Sequence, residues 1–470
     1  MRIKKFVVFS FDGDLFPLAY KLITEEGFKE EDVIVCQIDD GSILGTDTWI
    51  SQKEAPEVKK RRLSLYDGML KKLSLSTTME KLRQIKDKDE CFVVFGHNSL
   101  CKIADKIQKM GFKNGLFPNW EDYEREQERQ KSKDFVKKYY PNLKVAETKE
   151  FKGVDKVIKF IESSDKFWVV KSDGNHGETI VPDRDDLELA KEQIKSELTS
   201  YKSAYDKGGL ILEQKIMNAT EFAPQMIWYN GEPVCSEIEI ETRMFGSGDI
   251  GDQTGGNENV IIQTELDDKI NEIAFPQIMH DIAKKHKGMF IADVGILSDG
   301  KDFYFTEFAG CRHGWFGILS ELSCSENKGK MISSYFGAIL NGENPYKYKF
   351  GTVLCTYSIR SDTKIAGLGQ EDLSIHIKKE AMKNFFPIQC KMKKDQLVNV
   401  GYREFDSSPL AVVVGRGDKL EDAVKMIYDT LKGVSLKGLY FRPQFDFLSI
   451  DYVSSIPNRI KFLQQKRLID

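Results

Sequence analysis

A chain of 470 residues exceeds what one hydrophobic core holds, and ordinary domain sizes imply about three lobes. Its 41% apolar and 30% charged residues, with only 13 prolines, exclude a disordered or fibrous chain. The 69 basic and 73 acidic side chains leave a formal charge of −4, so no global field draws the chain to nucleic acid or to anionic lipid.

The N-terminal segment MRIKKFVVFSFDGD has a basic opening, but its apolar stretch is six residues long and ends at Asp12, too short for a leader or a membrane span. It reads as a buried strand at 6–11. A helix at 15–24 and a strand at 33–38 complete a parallel βαβ pattern, and another strand follows at 91–95. Between them, 51–88 is charged and helical in character. Its run EAPEVKKRR lacks interleaved aromatics and reads as a solvated face or insertion, not a nucleic-acid patch.

Residues 121–140 predict one polar helix carrying i,i+4 charge pairs, closed by Pro141. Strands follow at 168–171, 210–214, 222–229 and 234–241, the last two joined by an Asn230-Gly231-Glu232 turn. Residues 270–286 have helical apolar spacing. Strands at 289–297 and 303–308 flank SDGKD as a hairpin. The tail predicts a strand at 410–414, a helix at 420–431 and extended chain at 438–441. The eight cysteines are scattered without a CxxC pair, which argues against zinc or disulfides and for a reducing cytoplasm.

Several segments can carry chemistry. In FWVVKSDGNHGETIVP a strand delivers Lys171 to a turn containing Gly174 and Gly177, whose backbone N–H groups could hold polyphosphate beside the ammonium. In LILEQKIMNATEF an apolar strand ends at Glu213 and is followed by Glu221. Its backbone could read an adenine edge and the acid could bind ribose hydroxyls. In FIADVGILSDGKDFYFTEFAGCR, Asp293 and Glu307 interrupt apolar strands; paired across the turn, both could face one hard cation, and Mg²⁺ favours few carboxylates completed by phosphate and water. Arg312 then stands where an anion needs a planar donor.

In this order the segments resemble the ATP-grasp superfamily, and within it most closely the phosphoribosylamine-glycine ligase (glycinamide ribonucleotide synthetase) family. QKSKDFVKKYY is similar to that family's SKxFxKxF helix and puts Lys133 at the first nucleotide lysine. VVKSDG resembles VVKADG, which implies Lys171 as the second. LILEQKI resembles the hinge strand, implying that Glu213 and the backbone of Lys215 and Ile216 meet adenine and that Glu221 meets ribose. GDIGDQTGG is similar to the GDTGPNTGG substrate loop, giving Asp252, Thr254, Gly255 and Gly256 as substrate residues. FTEFAGCR resembles IEFNCR and implies Glu307 as a metal ligand; Ala309 and Gly310 replace the asparagine, and Asp293 is the compensating ligand. His313 follows where the family has another sequence and joins the substrate residues. PLAVVVGRGDKLEDAVKMIYDTLKGVSLKGLYFRPQF is similar to the family's C-terminal lobe.

The resemblance implies an α/β, multi-lobed fold. A Rossmann-like pre-ATP-grasp lobe would span 1–120, a two-lobed ATP-grasp 121–345 with its small nucleotide lobe at about 145–212, and a small C-terminal α/β lobe 346–470. It implies ATP and Mg²⁺ (or Mn²⁺), a small carboxylate such as glycine, and an amine acceptor, with the chain a cytoplasmic monomer or homodimer. Arg243 and Arg312 are the candidates to hold the γ-phosphate or the carboxylate.

Overall fold

The computed structural model describes residues 2–39, 56–172, 179–182, 186–248, 250–309, 322–325, 329–358, 372–401, 409–451 and 454–469, with the side chains of 250–253 and 255 excepted. The chain opens with β1 (Lys5–Ser10), α1 (Phe16–Thr24), β2 (Val33–Gln37), α2 (Pro56–Leu63), β3 (Lys72–Leu73), α3 (Leu75–Gln84), β4 (Cys91–Phe95) and α4 (Cys101–Lys109). These strands form an all-parallel sheet in the order β3-β2-β1-β4. Both of its faces are covered. Phe6, Val8, Val35 and Val94 point into the main core, while Val7, Phe9, Ile34 and Phe95 point into a second one, which is why these strands read as unbroken apolar runs.

The segment between β2 and β4 departs from expectation. Lys72 and Leu73 add a short edge strand, and the basic run is not wholly solvated. Arg62 is fully buried, its Nη1 donating to the carbonyls of Phe11 (3.1 Å) and Ile38 (2.9 Å) with its guanidinium 3.7 Å from the Phe11 ring centroid. It ties α2 to the carboxyl ends of β1 and β2.

The polar stretch expected as one helix is two, α5 (Trp120–Gln127) and α6 (Arg129–Tyr139), because Glu128 leaves the helical region at φ −94°, ψ 85°. The Ser132 hydroxyl donates to the Arg125 carbonyl across the break. Then come β5 (Lys144–Val145), β6 (Thr148–Phe151), α7 (Val154–Ser163), β7 (Trp168–Ser172), α8 (Leu187–Ser200), α9 (Lys202–Tyr205) and β8 (Leu210–Gln214). Strands β6-β8-β7 make a small antiparallel sheet whose core, including Val157, Trp168, Ile194 and Leu212, is separate from the others.

The large sheet is built on β9 (Thr220–Tyr229), β10 (Glu232–Gly246), β11 (Ile250–Thr264), β12 (Met289–Ser298) and β13 (Phe303–Phe308). Asn230 and Gly231, with φ of 51° and 88°, make the β9–β10 turn, a geometry that asparagine and glycine tolerate. The expected helix at 270–286 is split into α10 (Lys269–Ala274) and α11 (Gln277–Ala283), since Pro276 cannot continue the first. The remaining elements are α12 (Met331–Leu340), β14 (Phe350–Ser358), β15 (His376–Ile377), α13 (Lys379–Met382), β16 (Phe385–Pro387), β17 (Cys390–Lys393), β18 (Gln396–Asn399), β19 (Ala411–Gly417), α14 (Leu420–Leu431), β20 (Val434–Ser435), β21 (Leu439–Tyr440), α15 (Gln444–Leu448) and α16 (Ile456–Gln465). The sheet runs β16-β19-β14-β11-β10-β9-β12-β13-β5, with β21 on β14, so strands from the C-terminal region extend the sheet that carries β9–β13. No helix among the described residues is long and apolar enough to cross a membrane.

Asp14 lies buried just after β1, accepting from the Ser10 hydroxyl and from the Leu15 N–H at 3.1 Å. Burial, and then the charge of Asp12, push its carboxyl from 3.8 up to about 7. The folded state therefore keeps a proton that the unfolded chain has lost, and stability falls as pH rises from about 4 to about 7. Asp14→Asn removes that slope, so its advantage over the wild type in urea denaturation is expected to widen by about 3 kcal/mol between pH 5 and pH 8. A gap independent of pH would contradict this assignment.

Candidate active site

Side chains of the small sheet and of the large one come within electrostatic reach of each other, Lys171 acting on Glu307. Lys133, on the buried face of α6, donates to the Thr148 hydroxyl of β6 at 3.0 Å and to Glu213 Oε2 of β8 at 2.5 Å. Lys171, on β7, donates to Glu213 Oε1 at 3.1 Å. One buried carboxylate thus joins two ammonium groups that lie 38 residues apart in sequence. Burial, together with Lys171 and Arg129, pulls the Lys133 ammonium below its ordinary value, while Glu213 works the other way. Burial pushes the Glu213 carboxyl up, but Lys171 and Lys133 outweigh it and hold the group below its ordinary 4.5.

The β12–β13 hairpin supplies the opposite wall. Gly295 pairs with Glu307 and Val294 with Phe308, and the next pair is Ile296 with Phe305, so Thr306 is an extra residue in a β-bulge. A Cβ on Gly295 would lie 2.2 Å from Thr306 Oγ1 and 3.4 Å from Glu307 Cγ, so only glycine admits this crossing. Asp293 lies two residues before Gly295 on β12 and Glu307 is the direct partner of Gly295, so the two carboxyls share one face of the hairpin. The Glu307 side chain is half-exposed; desolvation pushes its carboxyl up, but Arg243, Arg129 and Lys171 reverse this and hold it below its usual range. Arg243 Nη2 lies 3.5 Å from Glu307 Oε1, and Arg129 Nη1 lies 3.7 Å from Oε2. Asp293 is pushed well above the carboxylate range by burial and by the charges of Glu307, Glu241 and Glu237. Two neighbouring carboxyls are therefore pushed in opposite directions.

This donor set fits one hard divalent cation, because two carboxylate side chains leave most of an octahedron to phosphate oxygens and water. Among the described residues no group of three or more His, Cys, Asp or Glu is arranged to hold a metal unaided.

The other expected residues fall as follows. Glu221, on β9, acts electrostatically on Arg243, whose Nε is 2.6 Å from Glu241 Oε2. Lys215 donates its N–H to the Phe167 carbonyl (2.9 Å) and its ammonium to the Pro182 carbonyl (2.6 Å), so Ile216 is the first hinge position beyond that pairing. The GDIGDQTGG segment is not a free loop. From Ile250 onward it belongs to β11, and the register jumps from Thr242–Glu258 to Met244–Gln253, bulging 254–257 against Arg243 alone. Within that bulge the Thr254 hydroxyl donates to the Arg243 carbonyl (2.7 Å) and accepts from the Gly256 N–H (3.2 Å), and Tyr357 donates to the Gly256 carbonyl (3.2 Å). Gly174, Gly177, Arg312 and His313 lie outside the described residues, as do the side chains of Asp252 and Gly255.

Sequence reasoning missed Arg129 and Glu241. The former precedes Lys133 by one helical turn, and the latter ends an alternating series with Glu237 and Glu239 that marks one face of β10.

No protein-family model matches the chain, and no curated protein matches it in sequence. Solved structures do. The phosphoribosylamine-glycine ligase of Thermotoga maritima is similar with a TM-score of 0.60 at 14% identity, over 93% of this chain and 99% of that one. The biotin carboxylase domain of Hydrogenobacter thermophilus 2-oxoglutarate carboxylase, solved with MgADP, ADP and bicarbonate, is similar at 0.55 and 11%, over 100% and 99%. Campylobacter jejuni biotin carboxylase, in a β,γ-ATP complex, is similar at 0.54 and 15%, over 93% of each chain. These are ATP-grasp enzymes, and the chain has the ATP-grasp fold.

Glu213→Gln leaves two buried ammonium groups without their shared countercharge, and urea denaturation at pH 7 is expected to show a loss of about 3 kcal/mol or more. Because the carboxyl is held below 4.5, its contribution is complete above that value and fades as pH falls beneath it, so the deficit should shrink in acid. A deficit that is absent at pH 7 would contradict the buried triad.

Proposed function

We propose that the chain is an ATP-dependent carboxylate-amine ligase that activates a small carboxylate as an acyl phosphate and passes it to an amine. The observation that carries this reading is the continuity of the constellation: Lys133 and Lys171 share Glu213, Lys171 acts on Glu307, and Glu307 is flanked by Arg129 and Arg243. One triphosphate lying along that line would meet cations on each phosphate.

Lys133 and Lys171 would leave Glu213 for the α- and β-phosphates, and Ile216 with its neighbours would meet the adenine edge while Glu221 binds ribose. Mg²⁺, held by Glu307 and Asp293, would supply neutralisation of the developing phosphate charge. Arg243, and Arg312 beyond it, would hold the γ-phosphate or the attacking carboxylate in line. Residues 248–256 would border the second substrate. Catalysis on this account is positioning and electrostatics, with the phosphate turn around Gly174 and Gly177 excluding water from the acyl phosphate.

A glycinamide ribonucleotide synthetase-like reaction, with glycine as the carboxylate, is the specific form we infer first, in keeping with the name of the Thermotoga maritima structure. A related ligase joining another amino acid to a different amine is favoured instead by the departures at Ala309 and Gly310 and at His313. Rescue of a purine auxotroph separates the two. We assign the lobes as 1–120, 121–345 and 346–470, and we place the protein in the cytoplasm.

In an assay that traps acyl phosphate with hydroxylamine across a panel of amino acids, one carboxylate is expected to stimulate ADP release. Lys171→Ala and Glu307→Ala should each lower that release on the order of a hundredfold or more. Normal turnover in both variants would show that the site lies elsewhere.

A further inference from the structure

The last described helix, α16, sends Arg459 to the ends of two strands that carry site residues. Strands β9 and β10 pair antiparallel as far as Ala223 and Glu239, and there the ladder stops. Two residues further along each strand stand Glu221 and Glu241. These positions matter to the cleft, because Glu221 and Glu241 both act on Arg243, which reaches Glu307. Their backbone carbonyls no longer face partner N–H groups, so something else must satisfy them.

Arg459, on α16, does so. It is nearly buried, and its Nη1 lies 2.9 Å from the Glu241 carbonyl and 3.5 Å from the Glu221 carbonyl. Its Nε donates to the Ser454 carbonyl at 2.6 Å, which fixes the plane of the guanidinium. A rigid fork of donors can bridge two acceptors in this way, whereas a lone ammonium on a flexible stem holds them less firmly. Other C-terminal groups grip the same stretch of β10. Tyr440 donates to the Phe245 carbonyl at 3.0 Å, and Arg442 donates to the Met244 carbonyl at 3.4 Å while paired with Glu258 at 3.3 Å and Asp446 at 3.2 Å. Of these, only Arg459 spans both strands.

We propose that Arg459 is a positioning residue: it sets the separation of β9 and β10 where they part, and so fixes Glu221 and Arg243 relative to Glu307 without touching a ligand. The kinetic consequence rests on the ligase reading; the mechanical one does not.

The test compares Arg459→Ala and Arg459→Lys with Lys466→Ala, which removes another anchor of α16, the 2.5 Å bond to the Gly300 carbonyl. MgATP affinity is measured by calorimetry, with and without added guanidinium ion, and amide exchange is followed at 221–223 and 241–245. Arg459→Ala should weaken MgATP binding on the order of tenfold, guanidinium should restore most of the loss, and the lysine variant should fall between. Lys466→Ala should stay within about twofold of the wild type. Wild-type affinity in Arg459→Ala, or a loss that guanidinium leaves unrepaired, would overturn the proposal. If the wild type itself binds no MgATP, the ligase reading fails, and exchange then decides: faster exchange at both strand ends in Arg459→Ala supports the clamp, and unchanged exchange overturns it.

Discussion

Two buried ammonium groups cannot stand near one another without a countercharge, and the sharing of Glu213 by Lys133 and Lys171 is the constraint from which the cleft follows. The carboxylate is delivered by β8, the centre of the small sheet, one lysine by its neighbour β7 and the other by α6. Holding all three within hydrogen-bond reach therefore fixes the small sheet against the helix that leads into it. The same arrangement prepares an anion site. A polyphosphate that displaces the carboxylate would find both cations already desolvated and oriented, so little reorganisation would remain to be done on binding.

Across the cleft the electrostatics run the other way. Glu307 is kept ionised by Arg129, Arg243 and Lys171, while Asp293, deeper in the sheet and surrounded by other acids, is driven toward its neutral form. The difference comes from geometry within one hairpin, where an extra residue at Thr306 and the bare backbone at Gly295 bring Glu307 up against the arginines. A divalent cation between the two would oppose the upward push on the Asp293 carboxyl.

Much of this was legible in the sequence wherever burial alone decides structure. The strands at 91–95, 210–214 and 303–308 lie where their apolar runs put them, because those runs are packed against other elements and have few alternatives. What could not be read was fixed by particular side-chain partners, some local and some distant. The helix at 121–140 breaks at Glu128, where the Ser132 hydroxyl takes the Arg125 carbonyl. The polar segment that became β11 looked like loop, yet Asn257 bonds the Met244 and Phe245 carbonyls and Glu258 meets Arg442, which follows it by more than 180 residues. Arg62 lay in a run that reads as solvated, and two carbonyls with an aromatic face bury it. For the site, Lys133, Lys171 and Glu307 could be singled out from their motifs, but Arg129 and Glu241 acquire their significance only once α6 and β10 are folded against the β12–β13 hairpin.

One triphosphate would occupy the line from Lys133 to Glu307, and a crystal structure with Mg²⁺ and a non-hydrolysable ATP analogue tests this most directly. Both lysine ammonium groups should have moved from Glu213 onto phosphate oxygens, with the cation between Glu307 and Asp293. Nucleotide bound at another surface, or lysines still seated on Glu213 beside a bound analogue, would contradict the account.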